Sequence, residues 1–163
     1  MALVSIGVPI KRHKAAIIDA AIMLVGAIYI VWIADNFFYP FQGFLITLGV
    51  PVAVWSSIFV ADVVMRKKAY SQADLFDPNG VYGSVNKGSI ALMFVGSIIG
   101  WGFVTNTFAP WLEWQGYFLG LIGGKDGAWA YSNIGVIFAL IFGFAGHILL
   151  SHRKIRAQES QLS

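Results

Sequence analysis

The sequence predicts an all-α integral membrane protein, with four transmembrane helices and a short interfacial helix on the external side. Three observations carry that prediction. Of the 163 residues, 58% are hydrophobic and only 12% are charged, against roughly 25% charged in soluble domains. Mean hydropathy is +0.72. The apolar residues gather into four runs, each near the roughly 20 residues that a helix needs to cross the hydrocarbon core. The cations between those runs are sorted by side.

The spans fall at about 15–34, 41–65, 89–107 and 133–151. The second, at about 25 residues, is long enough to tilt or bend. Gly49-Val50-Pro51 near its middle marks a kink, because Pro51 has no backbone N–H to donate. Lys11, Arg12 and Lys14 precede the first span. Arg66, Lys67, Lys68 and Lys87 lie between the second and third, and Arg153, Lys154 and Arg156 follow the fourth. Ten of the eleven Lys and Arg residues therefore share one side, and only Lys125 lies on the other. The positive-inside rule makes both termini and the 66–88 loop cytoplasmic, and the 35–40 turn and 108–132 loop external. The first residues, MALVSIGVPI, have no basic start and do not read as a cleaved signal peptide. The whole reads as one membrane domain, 1–163, in the cell membrane.

In the external loop, Trp111, Trp114, Tyr117 and Phe118 have near-helical spacing, which suits an interfacial helix at headgroup level. The tail from Arg156 is polar and is expected to fray.

Ionisable groups inside a bilayer are costly and draw functional attention first. Asp19 is about one turn into the first span and leans toward Lys14 and the interface. Asp62 is about one turn before the end of the second span, where the helix dipole disfavours an acid. Arg66, four residues on, is its economical partner in a structural ion pair. Asp35, beside Asn36, reads as solvated. His147 in the fourth span reads as packed or hydrogen-bonded rather than as a metal ligand, since no second ligand sits at metal spacing on that helix. Gly96 and Gly100, and Gly135, Ala139 and Gly143, recur at spacing four and allow close helix approach.

No cysteine is present, so disulfides and thiol chemistry are excluded. No nucleophile elbow, phosphate loop, metal motif or carboxylate pair is found, so no enzymatic activity, resident cofactor or metal is expected. The basic residues are split across three membrane-adjacent sites, which argues against nucleic acid as a partner. The bilayer is the expected surrounding.

The stretch 59–86, FVADVVMRKKAYSQADLFDPNGVYGSVN, is the most patterned in the chain. Its Asp62, basic cluster Arg66-Lys67-Lys68, Tyr70, Asp74-Leu75-Phe76-Asp77, Gly80, Tyr82 and Asn86 resemble the nucleobase–cation symporters, purine–cytosine permease branch. GWGFVTN (100–106) and WLEWQGYFLG (111–120) resemble the same family, and the likeness covers nearly the whole chain. It implies helices nine to twelve of a twelve-helix transporter built on inverted repeats. It also implies a nucleobase-type substrate and coupling to Na+ or H+, with the ligands for both on helices outside this chain. The C-terminal portion alone would then be incompetent for transport, unless it assembles with a separately encoded N-terminal part. On the same likeness, Phe44, Leu45 and Leu48 are gate positions and Gly49 and Pro51 a hinge. The alternative expectation is a small four-helix membrane subunit or regulator without transport activity.

Overall fold

The structure, a computed structural model, describes residues 12–33, 36–108 and 110–161. Every regular element among them is helical. The chain divides into two compact units, 1–42 and 43–163. Lys11 and Asp35 lie outside the described residues.

In the first unit, helix α1 spans Arg12–Ile28 and continues as a π-helical turn, Tyr29–Ile33. Ile17, Ile22, Met23, Leu24, Val25 and Trp32 are all well exposed. A helix this apolar all round suits lipid or the interior of a larger assembly. Asn36 accepts the Tyr39 amide at 3.0 Å, satisfying a free N–H where the next helix begins.

That helix, α2, spans Phe38–Met65 without interruption and carries Pro51 inside it. A connector follows with a short α3, Gln72–Leu75, whose first turn is capped by Ser71. Helix α4 spans Lys87–Gly102. After it come a 3-10 turn at Pro110–Leu112, α5 at Tyr117–Leu121, and a second 3-10 turn at Ala128–Tyr131. Helix α6 spans Ile134–Gln161.

Three helical stretches are long and apolar enough to cross a membrane: 13–33, 38–65 and 134–161. Helix α4 has 16 residues, about 24 Å of rise, short of the roughly 30 Å hydrocarbon core. The expected span 89–107 thus ends as a helix at Gly102. Beyond it Val104, Thr105 and Asn106 turn inward and are buried, and Phe103 closes the helix by bonding back to Gly100.

Two other expectations change. The aromatic run 111–118 is not one helix, because Gln115 between its aromatics is wholly buried. Gly116 makes the break, with φ +75° and its N–H on the Trp101 carbonyl at 2.8 Å, a conformation that costs glycine little. The tail from Arg156 does not fray, since α6 remains helical to Gln161 with Ile155 and Gln158 buried.

The core of the second unit is Val50, Ala53, Val54 and Ile58 of α2, Leu92 of α4, Val104 just beyond it, and Ala139 of α6. Glycines set the helix separation. A Cβ at Gly96 would meet Val54 Cγ1 at 2.9 Å, one at Gly100 would meet the Gly135 carbonyl at 3.1 Å, and one at Gly143 would meet the Val54 carbonyl at 2.9 Å. Bilayers give no hydrophobic drive for helix association, so this close van der Waals packing is what holds such a seam. On α6 the buried positions are Gly135, Ala139, Gly143, His147, Ser151, Ile155 and Gln158. Each step of four advances about 40° around the helix, so the stripe winds as it descends.

Candidate functional site

The lower half of that stripe is polar, and it meets the end of α2. Asp62 and Arg66 are one turn apart, so their side chains share a face. Arg66 Nε donates to Asp62 Oδ2 at 2.7 Å, and its Nη2 donates to Oδ1 at 3.3 Å. The Asp62 side chain is 20% exposed and that of Arg66 only 9%. Charges this far from water need more than one partner.

The connector and α6 supply them. Tyr70 donates its phenol to Asp62 Oδ2 at 2.5 Å. His147 Nε2 lies 3.1 Å from Asp62 Oδ1. Arg66 Nη2 also donates to Gln158 Oε1 at 3.0 Å. Its Nη1 is buried without a hydrogen-bond partner. The guanidinium carbon instead sits 4.8 Å from the Tyr70 ring centre and 5.1 Å from that of Tyr82, so two aromatic faces receive the cation. Tyr82 is fixed in turn by the Ser71 amide, which donates to its hydroxyl at 3.0 Å. Burial, together with the adjacent Asp62 carboxylate, pushes the Tyr70 phenol above the usual tyrosine range, which keeps it a donor at neutral pH.

Glu159 completes the attachment. Its Oε1 accepts the Lys67 and Lys68 amides at 2.5 and 3.0 Å, and its own carbonyl accepts Lys68 Nζ at 3.0 Å. A polar tail is therefore held helical by the backbone that emerges from α2.

Two clefts flank the cluster. One, of 450 Å³, is lined by Asp62, Ser84, Asn86, Ser89 and His147 on its polar side and by aromatic and aliphatic groups including Trp55 and Phe59. The other, of 190 Å³, lies among Arg66, Tyr70, Tyr82, Ser151, Lys154 and Gln158. Among the described residues no group of three or more His, Asp or Glu side chains could hold a metal ion.

The far end of the same helices has a neutral network. Pro51 lacks an N–H, so the carbonyl of Thr47 loses its helical donor. Trp101 Nε1 of α4 donates to that carbonyl at 2.9 Å. Around it, Asn106 Nδ2 donates to the Gly43 carbonyl at 2.8 Å, and Gln115 Nε2 donates to Thr47 Oγ1 at 2.8 Å. Asn106 and Gln115 are essentially fully buried. Their partners lie 63 and 68 positions away in sequence. Sequence reasoning missed both.

The expected gate and hinge residues divide. Phe44, Leu45 and Leu48 are 49%, 50% and 42% exposed and lie away from the core. Gly49 has open space around its Cα, and Pro51 borders an apolar 350 Å³ groove with Met93, Ser97 and Trp101. None of them touches the Asp62 cluster. No protein-family model, curated protein or solved structure matches the chain.

Proposed function

We propose that this chain is the C-terminal portion of a nucleobase transporter of purine–cytosine type, coupled to Na+ or H+. In this reading it contributes four spans, corresponding to helices nine to twelve, with both termini cytoplasmic. It binds no nucleic acid and catalyses no reaction. The nucleobase and cation ligands lie on helices outside it, so it does not transport alone. Phe44, Leu45 and Leu48 then face the rest of the transporter as gate residues, and Gly49 and Pro51 let that face move.

One observation carries the reading. Several of the residues on which the family likeness rests meet one another here. Asp62, Arg66, Tyr70 and Tyr82 form one cluster, and Asn86 begins α4. A Cβ at Gly80 would meet the Asp74 carbonyl at 2.7 Å. Trp101 and Asn106, from the second likeness, fasten α4 to the Pro51 region. The pattern thus has a physical purpose, which is to fix a connector against two helices.

A small four-helix membrane subunit or regulator is the second reading, favoured by the core that α2, α4 and α6 already share.

Uptake of labelled cytosine, hypoxanthine or allantoin separates these readings. Cells making this chain alone are expected to show no uptake, and uptake is expected when the coding region upstream is expressed with it. Uptake by the chain alone would overturn the portion reading. No uptake in either case would favour the regulator. Topology is tested separately on this cysteine-free chain. A membrane-impermeant maleimide should label Lys125→Cys and spare Asp77→Cys in intact cells.

A further inference from the structure

His147 has a hydrogen-bond environment that a purely structural histidine does not need. It is 2% exposed. Its Nε2 is 3.1 Å from Asp62 Oδ1. Its Nδ1 is bracketed by two hydroxyls, Ser151 Oγ at 3.3 Å and Ser89 Oγ at 3.4 Å. An ionised carboxylate only accepts, so Nε2 carries a hydrogen. That assigns the neutral ring a bare Nδ1.

The two serines make the difference. A serine hydroxyl both donates and accepts. When Nδ1 is bare, a hydroxyl donates to it. When Nδ1 carries a proton, a hydroxyl accepts it. The ring changes charge without losing a hydrogen bond at either nitrogen, and only hydroxyl hydrogens turn. A backbone carbonyl or amide at Nδ1 would have fixed one charge state.

We propose that Nδ1 of His147 is a reversible proton-binding site at the junction of α2, α4 and α6. The proton arrives from water in the 450 Å³ cleft, which reaches Asp62, Ser89 and His147, and returns there. Only the Nδ1–H bond forms and breaks. The charged or titratable groups around the ring are Asp62 from α2 and Arg66 and Tyr70 from the connector. From α4 comes the Ser89 hydroxyl. From α6 come Ser151, with Lys154 in the neighbouring cleft. Protonation takes the Asp62–Arg66–His147 group from neutral to singly positive. It also turns the contact between α2 and α6 from a hydrogen bond onto a carboxylate into an ion pair. The site stands whether or not the chain belongs to a transporter.

The test uses the full chain with exposed His13 and His152 replaced by glutamine, leaving His147 as the one histidine. Imidazole 15N spectra are recorded in lipid nanodiscs across pH. At the alkaline limit the Nε2–H form is expected. Acidification should convert it reversibly to the doubly protonated ring while the backbone spectrum is unchanged. An Nδ1–H form at the alkaline limit would overturn the proposal. So would a ring that keeps one charge state wherever the fold persists. Adding Ser89→Ala and Ser151→Ala should weaken proton binding about fivefold, the difference between a hydrogen bond to a charged ring and one to a neutral ring. Unchanged binding would remove the serines from the site. If the double substitution does not fold, each single one should give a smaller loss in the same direction.

Discussion

The two ends of the α2–α4–α6 bundle solve one problem by opposite means. At the Arg66 end, buried charge is satisfied by more charge and by aromatic faces. At the Pro51 end, a carbonyl freed by proline is satisfied by neutral N–H donors and amides. A charged cluster is costly to break, because whatever remains is a buried ion. A neutral network costs about one hydrogen bond at a time. The difference predicts where the molecule is brittle and where it can be adjusted.

The largest expected effect is at the brittle end. Asp62→Ala leaves Arg66 and His147 facing each other without their carboxylate, and should cost about 3–5 kcal/mol. Unfolding in mixed micelles measures it. A loss no greater than that from Asn106→Ala would erase the contrast between the ends.

Next comes the orphan carbonyl. Trp101→Phe keeps the ring but removes the donor to Thr47, and should cost about 1–3 kcal/mol. Pro51→Ala restores an N–H to the helix. The Trp101→Phe penalty should therefore shrink in a Pro51→Ala background, by a coupling of about 0.5 kcal/mol or more in a double-mutant cycle. Strict additivity would show that Trp101 acts by packing alone.

Smaller still is Gln115→Ala, at about 1 kcal/mol, because Thr47 Oγ1 keeps its bond to the Gly43 carbonyl. Glu159→Ala is the mildest. It frees the Lys67 and Lys68 amides, which should then exchange faster with deuterium while the helical core of α2 stays protected.

How much of this could be read from sequence depended on distance along the chain. Asp62 and Arg66 are one turn apart, so the spacing alone paired them. Gly96, Gly100, Gly135, Ala139 and Gly143 announced a close seam by their period, though not that Val54 and the Gly135 carbonyl would be what they approach. His147 read as packed or hydrogen-bonded, but its carboxylate partner is 85 positions away, and no local pattern names it. The tail was misjudged for a related reason. Polar residues at the end of a helix look solvated until Arg66 and the Lys67–Lys68 backbone arrive to bind Gln158 and Glu159. Thr47, Asn106 and Gln115 gave no signal, since neutral polar residues near aromatics are ordinary at a membrane interface.

The winding stripe on α6 has a mechanical consequence. A slide of one turn, about 5.4 Å, would bring either Ala139 or His147 to the place of Gly143. Even one Cβ there strikes the Ser57 hydroxyl and the Val54 carbonyl, so neither residue fits. The same slide would carry His147 away from Asp62. Helix α6 is thus keyed against a one-turn shift in either direction.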